Sequence, residues 1–488
     1  MRTAISPNSN IILEAHLLSA GYVLAVVINV YQGLGAAMYV VFVGMLKPRL
    51  IPYLLILLAV IQDGPGIYKL PRFAAFGVLT AVMLLILTVR AQHFVKVGRH
   101  LISARYHQLV ALGLMTVIYG FVVSYVVDAY SLSELLKSTR PWHLVALTNF
   151  VMILAAYGSL VMLSQDKNMT IRLTIVAQTS LMYLLFVALV QMLTHPTALH
   201  SDFLRQSNAF GYGSQMSSAS TLGIARIASA METPNAFCLS VAFLFMILFI
   251  GNQRYDNSLL LPSGMAVTGL FVGFITLSKA QMGYFVVASL LCFLLTRNYR
   301  FKLIGYLTIV TTLMILLYFG NTLMNIAAEL FRVREIGTST RGVLWEAVIE
   351  QMSIYDWIFG RGYGHWEELF AGVYRWKTIT APHNYILYVL GTFGLLGLFV
   401  YCVLFWLLFR TYRTLRHSNI RVALVAMMLL LFIFVKDLVT TSYVFNTSPL
   451  TYLLWLCVGL LCIPATTQYS TKSVPARNSR TRVKKPTS

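Results

Sequence analysis

HLVALTNFVMILAAYGSLVML, residues 143–163, contains no Asp, Glu, Lys or Arg. It has the length of a helix that crosses a bilayer, for which about 20 apolar residues are needed. Comparable runs lie at 13–31, 33–46, 49–62, 72–90, 106–127, 172–193, 235–251, 258–277, 281–296, 302–319, 384–408, 421–436 and 450–466. The chain of 488 residues is 58% hydrophobic and only 11% charged, where a soluble domain carries about 25% charged residues. A soluble globular enzyme is excluded. The expected fold is an all-α polytopic membrane protein, a bundle of about 12–14 transmembrane helices. The range arises because 33–46 and 49–62 are short enough to form one broken helix or a re-entrant pair.

The charge that remains is lopsided, 37 Lys and Arg against 16 Asp and Glu, a formal +21. In a soluble protein this would suggest nucleic acid; here it records topology, and no nucleic-acid partner is expected. Basic residues are retained in cytoplasmic loops. Arg90, Lys96, Arg99 and Arg105 share one loop, Arg297, Arg300 and Lys302 another, and Arg410, Arg413, Arg416 and Arg421 a third. The tail adds Lys472, Arg477, Arg480, Arg482, Lys484 and Lys485. In an alternating scheme all of these fall on one side, which is therefore the cytoplasm. An even number of spans places both termini there.

The chain then divides into N-terminal transmembrane helices (1–193), an outer loop (194–234), central helices (235–319), a large outer loop (320–382), C-terminal helices (383–466) and a basic tail (467–488). The tail is polar enough to be disordered and could rest on anionic headgroups. No small-residue cleavage site follows the first apolar run, so that run reads as an uncleaved span. Cys238, Cys292, Cys402, Cys457 and Cys462 sit inside apolar runs without CxxC spacing, which argues against structural disulfides and a thiolate metal site. No D-x-D motif is present to clamp a metal diphosphate. His93, His100 and His107 recur every seven residues, a spacing better explained by coincidence than by a metal site.

The loop at 320–382 is too long to be a linker. Trp366, Leu369, Phe370 and Val373 recur at helical spacing. Leu344, Val348 and Met352 mark a second helix, with Ser339 or Thr340 as its N-cap. Short helices on the outer mouth of the bundle fit this pattern.

Four basic positions stand at that mouth: Arg226, Lys279, Arg341 and His383. Alone, each has a plain explanation, since an arginine at a span end is commonly a snorkelling anchor, Lys279 could mark a boundary and His383 could cap a helix. Together they deliver cations from separate segments to one side of the membrane. Such a set suits an anion with several oxygens, a diphosphate above all, which the arginine fork grips bidentately. Gly360-Arg361-Gly362-Tyr363-Gly364 lacks the strand and the Lys-Ser/Thr of a nucleotide loop, so it reads as a tight turn needing positive φ. Gly391, Gly394 and Gly397, three apart, predict a close helix–helix contact.

Three stretches resemble the O-antigen ligase and polymerase superfamily of bacterial inner-membrane glycosyltransferases. They are RIASAMETPN at 226–235, STRGVLW at 339–345 with FGRGYG at 359–364, and PHNYILYVLGTFGLLG at 382–397. Ser278-Lys279 departs from the Ser-Arg common in the family, and Glu232 stands in a stretch that is usually neutral. The resemblance implies a bundle of about a dozen spans whose large periplasmic loop forms a helical cap. It implies transfer of a whole glycan from an undecaprenyl diphosphate carrier to an acceptor sugar hydroxyl, without metal or other cofactor. Arg226, Arg341 and His383 would be catalytic, and Lys279, Arg361, Asn384 and Asn235 would bind substrate. The implied partners are the undecaprenyl-diphosphate-linked glycan, an acceptor saccharide (lipid A-core or a lipid-linked repeat unit), the lipid bilayer, and chain-length regulators or other polysaccharide assembly proteins. A transporter or flippase of an anionic lipid-linked saccharide is the alternative, disfavoured because such proteins place charge near the midplane of repeated halves.

Overall fold

A chain passing through lipid must satisfy its own backbone N–H and C=O groups, and long apolar runs do so as helices. The computed structural model describes residues 9–28, 30–60, 74–89, 102–128, 142–166, 168–194, 234–251, 260–276, 279–295, 303, 340–363, 384–417, 420–433 and 449–463. Among them every regular element is helical. In chain order these are α1 (Ser9–Ile28), α2 (Val30–Leu46), a 3-10 turn (Pro48–Leu50), α3 (Ile51–Val60), α4 (Ala74–Val89), α5 (Ala104–Asp128), α6 (Trp142–Leu163) and α7 (Met169–Thr194). They continue as α8 (Pro234–Gly251), α9 (Leu260–Thr276), α10 (Lys279–Leu295), α11 (Thr340–Gln351), α12 (Ile354–Phe359), α13 (Tyr385–Leu415), α14 (Ile420–Leu431) and α15 (Pro449–Leu461).

The apolar runs of the sequence coincide with these helices, except 302–319, of which only Leu303 is described. The expected amphipathic helix at 366–373, most of the outer loop at 194–234 and the basic tail also lie outside the described residues. The protein is an all-α, multi-pass membrane protein. Among the described residues, four helices are long and apolar enough to cross a membrane: Ala104–Val126, Val145–Leu163, Met169–Leu189 and Tyr385–Leu415. The short pair α2–α3 is one of the breaks expected from the sequence, bent by 115° between Leu46 and Pro48. Pro48 bars its predecessor from helical geometry, and Lys47 accordingly sits at φ −126°, ψ 71°.

Packing separates an inner from an outer layer. All ten residues of α3 are buried, as are Ala236–Gly251 of α8 and nearly all of α15. Helices that are apolar on every side belong in the interior of such a bundle. Around them α1, α2, α4, α6, α5, α13, α14, α10 and α9 follow one another in contact, while α7 packs on α8 and touches α1. This outer layer shows apolar side chains to the outside, such as Met115, Phe186, Val267 and Trp406.

Contacts between helix ends fix which termini share a face. Ser103 N–H, just before α5, donates to the Cys462 carbonyl at 3.2 Å, just after α15. Gly459 of α15 packs on Tyr106 and on Leu160 near the end of α6. The end of α8, at Gly251, lies on Thr170 and Thr174 at the start of α7. These contacts define one end, here called lower. Asp166 in the α6–α7 turn bonds Arg172 at 2.5 Å and accepts from the Tyr53 hydroxyl at 2.6 Å, pinning α3 to that turn. The starts of α6 and α8 therefore lie at the upper end. So does the α9–α10 turn, because Cys238 Sγ near the start of α8 is 3.2 Å from Thr276 Oγ1 at the end of α9.

Candidate functional site

The upper end is built around a break in α13. Gly394 has φ 59° and ψ −151° inside an otherwise helical run, a region open in practice only to glycine. The break splits α13 into half-helices and frees backbone carbonyls that a continuous helix would use. A strap, Gly360–Tyr363, takes them up. Arg361 N–H donates to the Gly391 carbonyl at 2.7 Å, and Gly362 N–H to the Thr392 carbonyl at 3.0 Å.

Gly360 and Gly362 have φ of 76° and 78°, the tight turn of positive φ that the sequence predicts. The three glycines Gly391, Gly394 and Gly397 do something other than expected. Gly394 interrupts its helix instead of seating a neighbouring span, and the close approach is that of the strap. A Cβ on Gly360 would meet the Thr392 carbonyl oxygen at 2.5 Å, and one on Gly394 would run into the Ile358 carbonyl.

On its other side the strap is locked to α5. Tyr363 N–H donates to Ser124 Oγ at 2.5 Å, and Ser124 donates in turn to the Gly120 carbonyl at 2.8 Å. The buried Tyr363 ring stands edge-on to Phe393, centroids 5.3 Å apart, and its hydroxyl accepts from Asn149 Nδ2 at 3.5 Å. Backbone away from a helix survives at this depth only when protein groups pair it. Here they do.

The strap is held at its start by a small polar clamp. Ser353 and Asp356 form a capping box on α12: the Ser353 side chain accepts from Asp356 N–H at 3.2 Å, and Asp356 Oδ2 accepts from Ser353 N–H at 2.8 Å. Arg361 Nη2 donates to Asp356 Oδ2 at 2.9 Å and reaches the Gln351 carbonyl at 3.3 Å. Partial burial opposes ionisation of Asp356, yet the hydrogen bonds from Arg361 and Ser353 outweigh it and hold the carboxyl below its ordinary value. A lowered folded-state pKa gives stability that is fully present above about pH 4, the unfolded carboxyl range, and is lost as pH falls through the lowered value. Asp356→Asn is expected to weaken this corner by about 1 kcal/mol, a typical cap loss, and to remove that acid dependence. Hydrogen exchange of 353–363 between pH 6 and 3 measures both.

The sequence-predicted residues fall as follows. Asn384 is the N-cap of α13, its side chain accepting from Leu387 N–H at 3.2 Å. Asn235 is the second residue of α8, Lys279 the first of α10 and Arg341 the second of α11. All four thus stand at helix N-termini, where unpaired N–H groups and the helix dipole favour an anion. Thr340, offered as a cap, is already the first helical residue of α11. Arg226 and His383 lie outside the described residues, although His383 directly precedes Asn384 in sequence. Arg361 is engaged by Asp356, as above.

Apolar and aromatic contacts tie these helix starts together. Val348 of α11 and Met352 just after it are buried against Trp345, Trp357, Leu387 and Tyr388, seating α11 on the first half of α13. Tyr385 stacks on Tyr388 at 5.7 Å and, across the break, lies 6.0 Å from Tyr401. The Tyr401 hydroxyl donates to the Ile433 carbonyl at 3.1 Å. Next to it, Phe432 meets Phe243 of α8 at 5.1 Å and Tyr284 of α10 at 5.7 Å. No group of three or more His, Cys, Asp or Glu that could hold a metal occurs among the described residues.

Sequence reasoning gave no role to Ser124, Asn149 or Asp356, and named Tyr363 only as part of the turn. Ser353-Ile354-Tyr355-Asp356 carried a readable signal, a serine followed three residues later by an acid ahead of apolar residues. Ser124 carried none, being one serine inside an apolar span.

Residues 264–402 match the family described as O-Antigen ligase, a stretch that runs from α9 into α13 and includes α10, α11, α12 and the strap. No curated protein matches the chain.

Proposed function

We propose that this chain, whose residues 264–402 match the family described as O-Antigen ligase, transfers a glycan en bloc from undecaprenyl diphosphate to an acceptor sugar hydroxyl. In this reading the reaction runs at the periplasmic face of a bacterial inner membrane, with both termini cytoplasmic, as a ligase or a surface polysaccharide polymerase. The observation that carries it is the placing of Lys279, Arg341 and Asn384 at helix N-termini inside the matched region.

The acceptor oxygen attacks the anomeric carbon of the donor and forms the new glycosidic bond. The bond from that carbon to the diphosphate oxygen breaks, and its electron pair leaves with the diphosphate. Arg226 and Arg341 hold the diphosphate and stabilise the charge gathering on it. His383 takes the acceptor's proton. Lys279, Asn235 and Asn384 bind the substrate in this scheme. Arg361, already bonded to Asp356, acts in this scheme by holding the strap.

The competing reading is a flippase of an anionic lipid-linked saccharide. Purified protein in detergent has no compartments to transport between. Incubated with lipid-linked donor and acceptor, it is expected to consume the donor and yield a product with a new glycosidic bond; an unchanged donor with folded protein would reject the transferase reading. The intermediate left in a deletion strain separates the two forms: long polymer on the lipid carrier marks a ligase, single repeats a polymerase.

A further inference from the structure

The six-residue helix α12 lies in the large loop that the sequence assigns wholly to the outer aqueous side, and its surface does not suit water. Ile354, Tyr355, Ile358 and Phe359 are 70%, 71%, 39% and 53% exposed. They form one face, while Asp356 and Trp357 turn inward. A patch of four large apolar side chains on so short an element needs a partner.

Its position says which. The Tyr119 hydroxyl of α5 donates to the Phe359 carbonyl at 2.8 Å. Tyr119 precedes the end of α5 at Asp128 by about 13 Å at 1.5 Å per residue. The C-terminal turn of α12 thus lies beside the body of a membrane span, well below its upper end. The strap that follows turns inward from there, onto the buried Ser124 and Asn149. On α5 itself Phe121, Val122, Tyr125 and Val126 are exposed, so the α12 face continues a surface already turned to lipid. The polar groups agree. Ser353 and Asp356 sit at the first turn, and Arg361 reaches back up to Asp356 and the Gln351 carbonyl, as a snorkelling side chain does.

We propose that α12 is immersed in the acyl-chain region of the outer half of the bilayer and forms, with the strap, a re-entrant dip between α5 and α13. Ser353 and Asp356 stand at headgroup level, and Ile358 and Phe359 meet lipid chains. The occupant of the exposed face is the bilayer itself, independently of the reaction proposed above.

The test places single cysteines by Ile354→Cys, Tyr355→Cys and Ile358→Cys in the full-length protein, with Glu350→Cys on α11 as the aqueous reference. Each is labelled with the environment-sensitive fluorophore NBD, corrected for label on the native cysteines, and reconstituted in phosphatidylcholine vesicles. Lipids brominated on the chain are expected to reduce emission at 355 and 358 at least twofold and to leave 350 unchanged. Aqueous iodide is expected to act in the opposite sense. Quenching of 354, 355 and 358 by iodide to the same extent as 350, with no effect of brominated lipid, would overturn the proposal. A face covered by a protein partner instead of lipid gives that same overturning result in vesicles of pure lipid.

Discussion

His383→Ala is expected to lower glycan transfer at least about 100-fold, the smaller end of what a positioned general base contributes, while the protein still inserts and purifies. The attacking hydroxyl must lose its proton as the glycosidic bond forms, and no alanine can accept it. The neighbouring residue supplies the contrast. Asn384 caps α13, so Asn384→Ala carries the loss of that cap, about 1 kcal/mol, and Asn384→Asp retains a cap. Arg226→Ala and Arg341→Ala remove cations that act on the leaving diphosphate and are expected to fall with His383→Ala. Transfer is measured with purified protein and lipid-linked donor. Wild-type rates in all three alanine variants would refute the assignment; a loss confined to variants that no longer insert would say nothing for it.

The second large effect is structural. Gly394→Ala is expected to destabilise the protein by about 3 kcal/mol or more. The backbone angles at this position cost a non-glycine residue about 1–3 kcal/mol. The added methyl also runs into the Ile358 carbonyl, beside Gly360 N at 2.7 Å, an overpacking worth about another 1–3 kcal/mol. Neither obstacle is a flexible side chain that could step aside. The same substitution at Gly264 in α9, where a Cβ meets nothing within 4 Å, is expected to be neutral or slightly stabilising, since alanine suits a helix better by about 0.5–1 kcal/mol. Thermal unfolding of both variants in detergent tests the pair. Equal midpoints for the two would mean that the break in α13 does not carry the strap.

Much of this fold is legible in the sequence because one physical demand dominates: apolar length. The runs at 143–163 and 172–193 became α6 and α7, and 235–251 became α8, with their edges nearly in place. The break between 33–46 and 49–62 was readable because each run is too short to span alone. Hydropathy does not distinguish a helix facing lipid from one enclosed by protein, so nothing in α8 announces that Ala236–Gly251 are all buried while Met115 and Phe121 on α5 are exposed. The site was legible as chemistry, through residue types at segment ends, and illegible as geometry. Gly391, Gly394 and Gly397 suggested a helix contact; only the dihedral angles of Gly394 reveal a break. Ser124 is separated from Tyr363 by 239 positions, and no local pattern predicts their bond.

That separation bears on how the protein is made. The strap's N–H groups find their acceptors on α5, translated early, and on the first half of α13, translated last of the three. Until Gly391 and Thr392 leave the ribosome, the amides of Arg361 and Gly362 lack the carbonyls that satisfy them. A nascent chain stopped before residue 391 therefore lacks the two carbonyls that hold the strap on that side. Completion of the C-terminal half supplies them.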